Sequence, residues 1–485
     1  MTALVLGVVL PLSTACSSSS DPSPAREDPG RDKPPPGGQK DPVPSPEPNK
    51  DPSCDPASKI TCNVHASPEG QDENPGTSAR PVRTLKKALT IAKSGQTVSL
   101  AAGRYSEASG ESWPQKVPDG VILEGSGDAV LSSGSLEKAG LLYAGAGQIR
   151  NLAFESFRYA VVAKGKLVIK NAKVTGGGGF VFGADSQGEL EDITMEELSF
   201  AGVTGIEQAR IRMNKGSFRG KTSPSLDAEG CKNVIGVLLG GRSNATLDNV
   251  SFTNLGNGSF AAFDDSTASI GRGTFTRPAL GDACTASSQI VSSDRASVNV
   301  EDTTVSDEAG AGLFVARASS KLTFRRSSVK NSTFGAMSYG RLEVEKGTFE
   351  SIGKVGIYLA SDSEATIAET TISAKRFGIQ ADSDTKLVVR KSHMTSEDED
   401  AVLLRDVAAD LGRPDDPGGN RLLGKETGLY VLDPAGRRTL VQAAGNIWRA
   451  SIQGADADGR YPTQLVDGAQ RGENFVLSGG ASIQF

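Results

Sequence analysis

The sequence predicts an all-β chain: a single right-handed parallel β-helix of about eleven or more coils, with a short N-terminal capping helix and a C-terminal β cap. Three observations carry that expectation. An apolar repeat of about 22 residues recurs through most of the chain, each copy alternates with the two-residue period of a strand, and no helical pattern separates the copies.

The repeat is apolar, any, apolar, any, polar, any, any, apolar. Clear copies are Leu167-x-Ile169-x-Asn171-x-x-Val174, Ala245-x-Leu247-x-Asn249-x-x-Phe252 and Leu342-x-Val344-x-Lys346-x-x-Phe349. The closing residue falls at Phe154, Val174, Met195, Phe218, Phe252, Phe275, Val305, Val329, Phe349, Ile372 and Met394. Seven of the ten intervals are 20 to 23 residues, one is 24, and two are longer, at 34 and 30. The residue five before each closer is apolar in all eleven copies, from Ile149 to Val389, so both positions should face the interior. A second strand signal, often opening with Gly, follows many closers, as in Gly312-Leu-Phe-Val315 and Gly356-Ile-Tyr-Leu359. Stacked at roughly 4.8 Å, such coils make a rod, expected to begin near residue 98 and to reach about 425.

The chain opens with an apolar run over residues 4–12, the length of a signal-peptide core and too short to span a bilayer. Leu12-Ser13-Thr14-Ala15-Cys16 follows and resembles a bacterial lipobox, in which the Cys carries lipid and becomes the new N-terminus. The expected parts are a signal peptide over 1–15 and a lipid-anchored linker over 16–53. The β-helix with its cap covers 54–425, and a closing segment covers 426–485. Lipidation at Cys16 would place the protein in the cell envelope, at the outer membrane, held by its anchor alone. Cysteine parity agrees: removing Cys16 leaves four, Cys54, Cys62, Cys231 and Cys284, which can form two disulfides in an oxidising compartment. The linker holds 11 of the 24 prolines and almost no apolar residue, so it cannot bury a core. Extended, it spans about 110 Å.

After the linker come Ser67-Pro-Glu-Gly-Gln-Asp-Glu-Asn-Pro-Gly76, Pro81-Val-Arg-Thr-Leu-Lys-Lys-Ala-Leu89, Ser94-Gly-Gln-Thr-Val98 and Ala102-Gly-Arg-Tyr105. This succession resembles the opening of the DUF1565 group within the pectin-lyase-like right-handed β-helix superfamily. The resemblance implies a loop, a capping helix and then the first strand, and it implies no activity. The helix also stands on its own residues: Thr84 can N-cap it, and Leu85, Ala88, Leu89 and Ala92 share one face. At the far end Ala443-Ala-Gly-Asn-Ile-Trp448, Asp458-Gly-Arg-Tyr461 and Phe475 resemble the family's closing segment.

Composition narrows the function. The net charge is −6 with no basic stripe, which argues against nucleic acid. Aromatics are only 5% of residues, leaving little material for a ring-lined sugar groove. Of the motifs that polygalacturonases share, only an isolated Asp264-Asp265 occurs, and Asp398-Glu399-Asp400 is expected to be a solvated corner. The histidines are two: His65, ahead of the coils, and His393, on a strand. Lys215, Arg272, Arg326, Lys346 and Lys391 share one repeat column with Asp302 and Glu369, which suits a mixed-charge exposed face better than a polyanion groove.

The two long intervals leave the coil after the same strand, and each carries one cysteine, so Cys231–Cys284 and Cys54–Cys62 are sensible pairs. Asp227, Glu229, Asp264, Asp265 and Asp282 lie in or between these insertions. Converging, they would offer oxygen ligands to calcium; otherwise they are surface carboxylates and no cofactor is implied. The expected function is a non-catalytic envelope lipoprotein whose β-helix binds polysaccharide or another surface component. The alternatives are a uronate or pectate lyase-like enzyme and a structural spacer.

Overall fold

The structure, a computed structural model, describes residues 63–221, 234–278, 288–436 and 439–448, and the strands at 463–466, 469–472, 475–478 and 482–484. Each turn of chain repeats one path. Phe334–Ser338 lies in one sheet, here the front sheet; Arg341–Glu345 and Thr348–Ile352 lie in a second sheet, and Val355–Leu359 returns to the front. Pairing is parallel and in register, Phe334 opposite Val355 and Leu342 opposite Ala365, so the turns stack as a solenoid. Nearly all regular structure is strand.

All eleven closers are at most 2% exposed, and the residues five before them at most 3%, which fixes the register the periodicity implies. The same column continues beyond them. Tyr105 pairs with Leu131 and Leu131 with Phe154, while at the other end Met394 pairs with Leu422 and Leu422 with Trp448. The solenoid therefore makes about fourteen turns. It also begins earlier than residue 98, because Val64–Ala66 already pairs with Thr97–Leu100. A three-residue strand is too short to show alternation, so its neighbours in sequence give no hint of it. Past residue 425 the turns continue through Leu429–Leu432 and Leu440–Gln442, and an antiparallel hairpin, Thr463–Val466 with Ala469–Gly472, joins the front sheet.

The helix Leu85–Ile91 buries Leu85, Ala88 and Leu89 over the first turn. Thr84 Oγ1 accepts from the Lys87 N–H at 3.0 Å. Two distant carboxylates complete the cap. Asp72 accepts from the N–H groups of Arg83 and Thr84, each at 2.9 Å, and Glu111 from those of Leu85 and Lys86 at 2.5 and 3.2 Å. All of these N–H groups stand at a helix start, where no intrahelical partner exists. Burial pushes the Glu111 carboxyl up, and its peptide N–H partners oppose that shift.

The polar column of the repeat has a backbone cause. From Asn151 to Lys391 the eleven residues three before the closers all have φ between 45° and 57°. This left-handed residue folds the second sheet lengthwise into two faces, so that sheet is called the bent sheet below. L-residues pay for that conformation, Asn and Asp least. Lys, Arg and Glu nonetheless occupy six of the eleven positions, all exposed, and most are paired across turns: Lys215–Asp192 at 3.5 Å, Arg326–Asp302 at 3.0 Å, Lys346–Glu369 at 3.9 Å. The glycine that opens many front strands has a steric cause. A Cβ on Gly356 would come within 2.2 Å of the Ile372 side chain.

Candidate functional site

On the front sheet, alternate residues turn outward and stack turn upon turn. In the N-terminal half this outward column is mostly aliphatic: Leu142, Val162 and Val181 are register partners in adjacent turns, Thr204 follows them, and Leu238, Ala261 and Val291 continue the column. From Phe314 onward its character changes. Phe314, Met337, Tyr358, Gln380, Leu403 and Tyr430 occupy six successive turns in register.

Along the later part of this column, its own Leu403 joins Val355 and Phe377, all buried, in an apolar cluster separate from the rod interior, with Phe334, Tyr358 and Tyr430 packed against it. This aromatic patch lies outside the solenoid core, on the front. One of its borders is cationic: Lys354 lies over the Phe334 ring at 5.7 Å and Arg376 over Phe377 at 5.3 Å, with Arg376 also held by Glu399 at 2.5 Å. The other border is acidic. The Tyr358 hydroxyl donates to Asp382 Oδ2 at 2.7 Å, and Arg405 stands 4.0 Å from Oδ1 of the same carboxylate. Burial, together with that bond to Asp382, pushes the Tyr358 phenol well above its ordinary value. Such an edge-bounded apolar platform can hold a flat, partly apolar ligand and bond its polar rim.

The residues singled out in the sequence are placed elsewhere or otherwise engaged. All five cysteines, with Asp227, Glu229 and Asp282, lie outside the described residues. The insertions do leave one corner, between Arg210–Gly220 and Ile235–Leu239 and between Thr274–Arg277 and Ser288–Ser292. Asp264 and Asp265 sit across the front strand from that corner, after Gly258–Ala262. Asp264 accepts from the Gly241 N–H at 2.8 Å, and the Arg295 guanidinium holds Asp265 at 2.5 Å, which lowers its carboxyl below the ordinary value. Among the described residues no group of three His, Cys, Asp or Glu side chains is placed to hold a metal ion.

Asp398 and Glu399 are the solvated corner expected of them, but Asp400 is 5% exposed and accepts from the Thr427 N–H and hydroxyl at 3.1 and 2.6 Å. Burial pushes its carboxyl up. His65 lies within the first strand of the solenoid rather than ahead of it. His393 stands on the bent sheet between Thr371 and Arg421. A shallow depression of about 400 Å³ follows the bend at Asp302, Thr304, Arg326, Ser328, Lys346 and Thr348. Arg326 there is already bound by Glu301 and Asp302.

The aromatic patch was not legible from composition, because an average over the chain hides where its rings fall. The signal was positional: Phe314 and Tyr358 are the third residues of the Gly-opened strand segments.

This architecture is that of a parallel β-helix. Residues 68–149 match the family described as "Protein of unknown function (DUF1565)". The match spans the capping helix, Asp72, Thr84 and Glu111, so its residues build the end of the rod and not the front-sheet patch. No curated protein matches the chain. Among solved structures, a GH136 lacto-N-biosidase from Eubacterium ramulus aligns with 8% identity and a TM-score of 0.39, over 60% of this chain and 68% of that one. The periplasmic alginate epimerase AlgG aligns at 10% and 0.32, over 80% and 85%. A rhamnogalacturonan lyase aligns at 11% and 0.30, over 79% and 87%.

Proposed function

We propose that this chain is an exported β-helix, anchored in the cell envelope through lipid on Cys16, that binds a polysaccharide along its front sheet without altering it. The outward column from Phe314 to Tyr430 carries this reading. Rings on a flat sheet, bordered by hydrogen-bonding side chains, suit the apolar faces and hydroxyl rims of sugars. The non-catalytic part rests on the carboxylates that burial perturbs most. Glu111 caps a helix, Asp307 is paired with Arg277, and Asp400 is bonded to Thr427, so each has a structural partner.

The test is retention of the full chain, solubilised in detergent, on an array of plant and bacterial glycans. Specific retention that is lost in Tyr358→Ala is expected. An array with no retained glycan would sink the proposal. Chain shortening of a retained glycan would move the protein to the lyase-like or hydrolytic alternative. Cys16→Ser should separately release the protein from the membrane fraction, and continued membrane attachment would refute the anchor.

A further inference from the structure

We propose that the Tyr358 ring is a stacking platform for a neutral sugar and that Asp382 is the group that recognises that sugar's hydroxyl; this rests on the reading of the front sheet as a glycan site. Four observations converge on the pair.

First, the neighbouring rings are already occupied. The Lys354 ammonium covers Phe334, and the Arg376 guanidinium covers Phe377. Among the described residues no cation lies over Tyr358 in this way, and nearby Tyr339 is 38% exposed and meets Phe314 edge-on at 5.9 Å. Second, Tyr358 is held in place. Its hydroxyl donates to Asp382 Oδ2 at 2.7 Å, which fixes the ring without using its face.

Third, Asp382 Oδ1 is buried and accepts no hydrogen bond from any described residue. The Arg405 guanidinium, 4.0 Å away, is beyond hydrogen-bond reach. The Arg405 side chain is 47% exposed and can turn aside, uncovering the oxygen for a donor from the ligand. An orphaned acceptor discriminates strongly for a ligand that supplies the donor. A sugar hydroxyl supplies it.

Fourth, charge selects against a uronate. A carboxylate on the ligand at Tyr358 would face Asp382; of the cations around it, Arg405 stands beside that same carboxylate, Arg376 is bound by Glu399 and Lys354 lies over the Phe334 ring. Tyr430 lies three turns further in the same column, about 14 Å from Tyr358 at the spacing of adjacent strands, so an extended chain along the rod axis would cross both.

The experiment is titration of the full chain in detergent with neutral and with uronate oligosaccharides of equal length, followed by calorimetry. Binding of the neutral series is expected, with Tyr358→Ala weakening it more than about thirtyfold and Asp382→Asn about tenfold. Asp382→Asn should also raise uronate affinity relative to neutral, which a residue that merely holds the fold would not do. Unchanged melting temperatures would show that the variants fold. Preference of the wild type for uronates overturns the neutral-sugar assignment and leaves the glycan site standing. Neutral binding that Asp382→Asn does not change overturns the role of Asp382. Binding of neither series overturns the glycan reading beneath both.

Discussion

The turns between residues 147 and 253 and those between 303 and 423 follow the same path but solve the bend differently. In the first group, past its opening turn, the strand runs through the left-handed residue without a break, as in Lys166–Thr175 and Gln187–Leu198. The residue after the bend is then usually a buried apolar one, Leu152, Ala172, Ile193 or Val250. In the second group the strand is interrupted, as between Lys321–Arg325 and Ser328–Lys330. The residue after the bend is there usually a buried hydroxyl, Thr303, Ser327, Thr370 or Ser392, with Gly347 the exception. Each hydroxyl donates to the carbonyl two residues earlier and accepts an N–H from the preceding turn. Ser327 takes that of Thr303 at 3.0 Å, Thr370 that of Gly347 at 3.3 Å and Ser392 that of Thr370 at 3.1 Å, before Asn420 closes the series. The backbone bend is therefore compatible with two interiors, one oily and one hydroxylated. The hydroxyls replace ladder bonds that the interrupted strand no longer makes.

The seam between the regions should be their most sensitive point. Arg277 and Asp307 are both 0% exposed there and joined at 2.6 and 2.9 Å, with Arg277 also donating to the Gly256 carbonyl at 3.0 Å. Burial pushes the Asp307 carboxyl up and the guanidinium opposes it. Arg277→Met should leave a buried carboxylate uncompensated and cost about 3–5 kcal/mol in denaturant unfolding. Arg277→Met with Asp307→Leu should recover most of that loss. A single variant as stable as the wild type would mean that the pair does not hold the two regions together.

The hydroxyl series gives a smaller and more direct contrast. Thr370→Val keeps the shape but orphans the Gly347 N–H, for an expected loss of about 1–3 kcal/mol. Ala172→Ser, at the same position of an uninterrupted turn, buries a hydroxyl with no such N–H to satisfy and should also lose about 1–3 kcal/mol. A gain in stability there would show that the hydroxyl suits either kind of turn, and that only the interruption of the strand distinguishes the regions.

His393 breaks the exposed Thr and Ser column of the second region, following Thr348 and Thr371 in register. Burial of the ring, with the charge of Arg421, holds its imidazole below the ordinary value of 6.5. As pH falls through that value the unfolded chain takes up the proton first. Its contribution is therefore complete above about 6.5 and declines as pH falls toward the lower folded value. His393→Thr, which restores the column, should flatten the stability profile in that window when melting is followed against pH. A profile that keeps its slope there would assign it to carboxylates instead.

The apolar register of the solenoid was legible in sequence because each turn repeats it and one misplaced residue would turn a core face to water. What could not be seen depends on contacts between distant residues. Glu111 reaches a helix start 26 residues earlier, and Asp382 meets Tyr358 only because turns stack. The polar column was visible, but its cause was not, since a left-handed φ leaves no signature when Lys or Arg adopts it. The aromatic patch was obscured by a low average, although Phe314 and Tyr358 stood at matching places in their turns.

That column supplies the finest test of the comparison between regions. In the first, Asn151 and Asn171 occupy the bend and bond to each other at 2.8 Å, and Asn is the residue that tolerates a left-handed φ best. In the second, Lys391 occupies it with φ of 50°, and its N–H donates to the Gly418 carbonyl, a bond that any residue would keep. Lys391→Asn should therefore relieve backbone strain alone and raise stability by about 0.5–1 kcal/mol, seen as a higher denaturant midpoint at unchanged slope. Asn171→Lys should lower it by a similar amount, plus the lost amide bond. Opposite shifts of similar size would assign the cost to backbone conformation at every bend. If only Asn171→Lys has an effect, the first region is held by its paired amides, and the second tolerates lysine because its bend is already interrupted.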